Sequence, residues 1–149
     1  MIGMSTLASL PALREYKSKR ASSYDPDGNN SDWWVIKPGE TRCLLEEPAP
    51  GCVKHIWMTV GNDDSYPRNA LLRMYWDGEE LPSVEVPLGD FFGIGHGMRK
   101  NFVSAPLQMS PEDGRGMNCW FPMPFNQARI EIENQCDAEI NVYFYIDYE

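Results

Sequence analysis

The stretch "ARIEIEN", residues 128–134, alternates strictly, with Ile130 and Ile132 on one side of an extended chain and Glu131 and Glu133 on the other. Successive strand side chains point to opposite faces, so this pattern predicts a strand with one buried and one wet face. Working outward, short runs of the same β-branched, aromatic or alternating character recur. They are "TRCLLEE" (41–47), "CVKHIWMTV" (52–60), "ALLRMYWDG" (70–78), "PSVEVPL" (82–88), "NCWFPM" (118–123) and "EINVYFYIDYE" (139–149). Turn residues punctuate them at Pro38-Gly39, Pro50-Gly51, Asp77-Gly78, the glycines between 89 and 97, and residues 134–137. Short strands at this spacing predict an all-β antiparallel sandwich, jelly roll or barrel and argue against an α/β fold.

The chain has 149 residues, 42% of them hydrophobic, which suits one domain over 1–149 with a proper core. A short helix is expected over 9–17, with Ser9 as N-cap and Pro11 in the first turn, inside a lead-in of residues 1–19. The formal net charge of −9 repels polyanions, and no basic run exceeds "KSKR" (17–20), so no nucleic-acid footprint is present. Cys43, Cys52, Cys119 and Cys136 lie far apart with no Cys-x-x-Cys pair, which argues for reduced cysteines filling a core over a zinc site. No run reaches the ~18 apolar residues a membrane span needs, and no signal-like segment opens the sequence. A cytoplasmic protein without metal or organic cofactor is the expectation.

Two turn-rich segments break the strand rhythm, residues 18–37 and 89–117, and both read as binding loops carried on the sandwich. The first contains "RASSYDPDGNNSDWW" (20–34). A sugar offers hydroxyls that both donate and accept, and a C–H face that suits an aromatic ring. Ser23, Asp25, Asn29, Asn30 and Asp32 supply polar partners, while Tyr24, Trp33 and Trp34 supply rings. The same residues are also good turn chemistry, with Pro26, Asp27 and Gly28 assigned mainly to the turn. The second contains "VPLGDFFGIGHG" (86–97), where three glycines within five residues permit close backbone approach. It lacks the Lys and Ser/Thr of a phosphate cradle. Asp90 is a candidate sugar acceptor, one of Phe91 and Phe92 is expected in the core and the other, taken as Phe92, in the site. His96 reads equally as a sugar partner or a loop staple, and His55 as structural.

The blocks "RASSYDPDGNNSDWW", "HIWMTV", "LLRMYWDGEELPSVEVPLGDFFGIGHG" and "NCWFPMPFNQARIEIEN" resemble, in order and spacing, the N-terminal half of glycoside hydrolase family 172, formerly domain-of-unknown-function family 2961. The resemblance runs from about Arg20 to Glu149. It implies an antiparallel jelly-roll sandwich, the first of two consecutive rolls, in a retaining enzyme for α-linked furanosides such as fructofuranosyl and D-arabinofuranosyl linkages. It implies trimeric, capsid-like assembly. Trp57 joins the candidate sugar-binding residues because the family's "WMT" block adjoins its binding loops, whereas Trp76 is expected in the core.

The family's two catalytic glutamates are expected in the second roll, so the resemblance assigns no catalytic residue here. A retaining pair needs carboxyl groups ~5–5.5 Å apart, and the loop carboxylates available for one are Asp25, Asp32, Asp90 and the Glu112-Asp113 pair. The expected partners are a furanoside and either further copies in a trimer or hexamer, or a chain carrying the second roll. "WFPMPF" (120–125) is too proline-rich for a central strand and is expected to offer apolar side chains to a neighbouring subunit. The competing readings are a non-catalytic carbohydrate-binding module and a capsid-like assembly module.

Overall fold

The computed structural model describes residues 11–149. In chain order the strands are β1 (Lys19–Ser22), β2 (Trp34–Ile36), β3 (Thr41–Glu47), β4 (Gly51–Gly61), β5 (Ala70–Trp76) and β6 (Val84–Pro87). They continue as β7 (Phe102–Val103), β8 (Leu107–Met109), β9 (Met117–Cys119), β10 (Met123–Phe125), β11 (Ala128–Asn134) and β12 (Ile140–Tyr148). Two single-turn helices, α1 (Tyr66–Asn69) and α2 (Leu88–Phe91), sit between strands. The strands form two antiparallel sheets packed as a sandwich. The larger runs β1-β12-β4-β9-β8-β7, with β2 also on β12 and β10 also on β4, and the smaller runs β3-β11-β5-β6.

The alternation read in "ARIEIEN" is what buries β11 on one face: Ile130 and Ile132 are fully buried, while Glu131 and Glu133 stay partly exposed. β11 sits between β3 and β5, placing Ile130 opposite Leu45 and Met74. From the facing sheet, Ile56, Met58 and Val60 of β4 and Val142, Phe144 and Ile146 of β12 complete one core cluster. Each such aliphatic or aromatic side chain, fully buried, stabilises the fold by roughly 1.5–3 kcal/mol. The chain crosses from one sheet to the other between β2 and β3, β3 and β4, β4 and β5, β6 and β7, β10 and β11, and β11 and β12.

The outward faces of the two sheets differ in chemistry. The smaller sheet carries ion pairs: Arg73 reaches Glu85 and Glu133, both at 2.6 Å, and Arg129 pairs with Glu131. The larger sheet carries rings beside ion pairs such as Arg20–Asp147.

Several sequence expectations need correction. Residues 9 and 10 of the predicted helix lie outside the described residues. Residues 11–17 carry a turn and bends but no helix. They are exposed throughout, Leu13 fully, so no apolar face is buried to offset the cost of nucleating so short a helix. The two loop segments are shorter than expected, because 18–37 contributes β1 and β2, and 89–117 contributes β7 and β8. The run "NCWFPM" divides into the end of β9 and the start of β10, with Trp120, Phe121 and Pro122 between them outside the ladder. All four cysteines are free, but only Cys119 and Cys136 are core residues. Cys43 is exposed and Cys52 half-buried. Trp76 packs against the core, stacked on Phe125 with centroids 6.1 Å apart. No helix among the described residues is long and apolar enough to cross a membrane.

Candidate functional site

Strand parity builds the site. On β12, Val142, Phe144 and Ile146 point inward, so Tyr143, Tyr145 and Asp147 point outward. On β4 the outward residues include His55 and Trp57. The antiparallel register then sets Tyr145 opposite Trp57 and Asp147 opposite His55. The Trp57 and Tyr145 rings stack with centroids 5.0 Å apart at an interplanar angle of 16°. Arg20, brought alongside by β1, lies 4.3 Å over the Tyr145 ring and grips Asp147 through Nε at 2.6 Å and Nη2 at 3.0 Å. His55 Nε2–H donates to Asn118 Oδ1 at 3.1 Å, an acceptor fixed because Asn118 Nδ2 donates to the Gln108 carbonyl at 3.2 Å. The other ring nitrogen, Nδ1, lies 3.5 Å from Asp147 Oδ2.

The segment 23–33 closes over one end of this face, and its shape is set by two carboxylates. Asp25 accepts from the backbone N–H of Asp27 (3.0 Å), Asn29 (2.8 Å) and Ser31 (3.2 Å). Those bonds, from Asp27 first and then Ser31 and Asn29, hold the Asp25 carboxyl below the usual aspartate range, because each favours the charged form. Asp32 Oδ1 in turn accepts from the Asp25 N–H at 2.9 Å. Ser23 is buried: its hydroxyl donates to the Asp32 carbonyl at 2.8 Å and accepts from the Phe144 N–H at 2.9 Å. Gly28 and Asn30 take the left-handed φ of 72° and 64° that the turn requires, which glycine and asparagine tolerate best.

Between this segment and the sheet lies an open cleft of about 250 Å³, walled by Tyr24, Trp57, Tyr143 and Tyr145, with Arg20, Ser22 and Asp32 at its polar positions. Ring faces beside a few polar groups form the chemistry of a small neutral, hydroxyl-rich ligand. A cavity of about 260 Å³ also opens at the ends of β3, β5 and β11, lined by Glu46, Glu79, Tyr75 and Arg129 among others. Its tyrosine has Arg129 stacked 3.9 Å over the ring, and it borders neither of the two turn-rich segments read as binding loops. The first cleft is the better candidate on chemistry.

Of the residues singled out from the sequence, the structure brings Ser23, Tyr24, Asp32 and Trp57 together in the cleft. Trp33 stands beside it, its ring 5.7 Å from that of Tyr143. Asp25 acts on the loop backbone, and Asn29 and Asn30 are exposed at the loop tip. Phe92 is a correction. It is fully buried among core residues, while Phe91, set edge-on to it at 5.0 Å, is only partly covered. The tight turn forces this: α2 packs on α1 so closely that a Cβ on Gly89 would meet the Pro67 carbonyl at 2.8 Å, and Phe92 follows directly into the core. Asp90 is held by Arg68, and His96 is exposed with φ 58°. Among the described residues no hydrogen bond, ion pair or ring contact joins 88–97 to the cleft.

Sequence reasoning missed Arg20, Tyr143 and Tyr145. The signal for the tyrosines is present: in "NVYFYIDYE" they fall on the parity opposite Val142, Phe144 and Ile146. What the string lacks is the register that places Tyr145 against Trp57. Among the described residues no cluster of three or more His, Cys, Asp or Glu side chains is arranged to hold a metal.

A family model described as "GH172 first beta-sandwich domain" matches residues 14–149, nearly the whole chain and the whole of the sandwich. No curated protein matches the sequence.

Proposed function

The chain belongs to the GH172 family, as its first β-sandwich domain, and from that premise we propose that it is the sugar-recognising part of a glycoside hydrolase for α-linked furanosides. The observation that carries this reading is the cleft in which Trp57 and Tyr145 stand beside Asp32, Ser22 and Arg20. A five-membered sugar ring, fructofuranosyl or D-arabinofuranosyl, rests its C–H face on the exposed ring surface while its hydroxyls meet Asp32 and Ser22.

Chemistry completed outside this chain is the reading the cleft favours. A retaining mechanism requires two carboxyl groups ~5–5.5 Å apart, one as nucleophile and one as acid and base. Among the described residues lining the cleft, Asp32 is the one carboxylate. Nearby, Asp25 is engaged by three backbone donors and Asp147 by Arg20. The acid–base pair then comes from a second roll or from another copy of the chain, in an oligomer such as a trimer or hexamer. A non-catalytic carbohydrate-binding role for the isolated chain follows from the same observation. Four free thiols fit a reducing, cytoplasmic setting.

The test is calorimetric titration of the chain with aryl α- and β-furanosides, alongside chromatographic detection of released sugar. The expected outcome is saturable binding to the α-furanosides that falls at least tenfold in Trp57→Ala, with no release. Absence of binding by a folded chain would overturn the proposal, and release by the chain alone would overturn the assignment of chemistry to a partner.

A further inference from the structure

We propose that Trp120 is a second sugar platform outside the cleft, so that the ligand of this face is an oligosaccharide and not a single furanoside. The inference rests on the reading of the cleft as a sugar site.

The observation behind it is an exposed tryptophan that is locked in place. Trp120 is 40% exposed and stands outside the β-ladder, between β9 and β10. One face of its ring lies on the His55 imidazole, centroids 4.7 Å apart and the planes within 4° of parallel. His55 is itself held at one edge by Asn118 at 3.1 Å, and its other ring nitrogen lies 3.5 Å from Asp147. The Trp120 backbone is held too, its N–H donating to the Pro106 carbonyl at 2.8 Å. Stacking on His55 buries one ring face, and the face left in water binds a ligand more tightly because its orientation is already set.

The path from cleft to platform is continuous. Trp57 stacks on Tyr145 at 5.0 Å, Tyr145 meets His55 edge-on at 5.5 Å, and His55 carries Trp120. Trp120 is thus joined to Trp57 by three ring-to-ring contacts along the same face. Planar polar groups flank these rings, Arg20 over Tyr145, and Asp147 and Asn118 beside His55. Alternating rings and planar polar groups match a glycan lying along the sheet, its terminal residue in the cleft and a later residue on Trp120.

The experiment is calorimetric titration of the full chain with an aryl α-D-arabinofuranoside and with α-linked arabinofuranosyl di-, tri- and tetrasaccharides, in wild type, Trp120→Ala and Trp120→Phe. The expected result is a gain of about tenfold in affinity from the monosaccharide to the longest ligand. Trp120→Ala loses that gain with monosaccharide affinity unchanged, and Trp120→Phe keeps most of it. Monosaccharide binding without a length-dependent gain, or a gain that persists in Trp120→Ala, overturns the platform and leaves the cleft intact. Binding of no member of the series overturns the cleft and the platform together. Light scattering adds a further arm: an oligomer that dissociates in Trp120→Ala with its sugar affinities unchanged would make Trp120 a protein contact, and the proposal would fall.

Discussion

Arg20 holds Asp147 through two bonds, at 2.6 and 3.0 Å, while its guanidinium lies 4.3 Å above the Tyr145 ring. One side chain thus joins the edge strand β1 to the outward face of β12 and covers one side of a cleft wall. As an ion pair it is partly solvent-exposed, Arg20 at 56% and Asp147 at 25%, so its share of stability is about 0–1 kcal/mol. Its larger effect is on the shape of the cleft.

Arg20→Ala is expected to leave the thermal midpoint nearly unchanged and to weaken furanoside binding about tenfold. Arg20→Lys is expected not to restore binding, because an ammonium has neither the planar fork that fits Asp147 nor the flat surface that lies on Tyr145. Titration calorimetry beside a thermal melt separates the two effects.

Asp25 is expected to matter for binding without touching the sugar. Asp25→Ala removes the acceptor for three backbone N–H groups and frees the segment that carries Tyr24 and Asp32. Affinity is expected to fall roughly tenfold through lost pre-organisation. Amide hydrogen exchange of Asp27, Asn29 and Ser31, protected in wild type and fast in the variant, distinguishes this from a lost sugar contact.

The same carboxylate gives a pH dependence of known sign. Its folded-state pKa is depressed, so its contribution is fully present above the unfolded value of about 3.9 and is lost as pH falls through the lower folded value. Tryptophan fluorescence followed from neutral pH downward is expected to report loosening of the loop only below that unfolded value. In Asp25→Asn that component is expected to be absent, which separates it from Asp77 and Glu133, whose carboxyls are also held low.

Phe92→Ala is expected to cost about 3–5 kcal/mol, since the ring is fully buried. Sugar affinity per folded molecule is expected to stay unchanged, because Phe92 lies in the core and not in the cleft. Denaturant melts measure the first, and calorimetry on the folded fraction the second.

Much of the fold was readable from local pattern. The alternation of "ARIEIEN" and the apolar inner parity of "NVYFYIDYE" each specify a strand and its buried face, and Asp77-Gly78, both with left-handed φ, mark a turn as expected. Expectations failed where tertiary packing overrides local preference. The helix expected over 9–17 has no face to bury across its described residues 11–17. Phe91 and Phe92 look alike in the string, and only the packing of α2 on α1 sends one of them into the core.

By itself, then, the sequence determined the sheet chemistry, the strand faces, the family and the loop that carries Tyr24 and Asp32, because these depend on residue identity and a two-residue period. Only the tertiary structure decided that Asp147 stands by His55 and that Tyr145 meets Trp57. Those relationships depend on the register between β4 and β12, strands separated by some eighty residues, and on how β1 lies along the edge. Register is fixed by the summed packing of two whole faces, a property that no single stretch of the chain encodes.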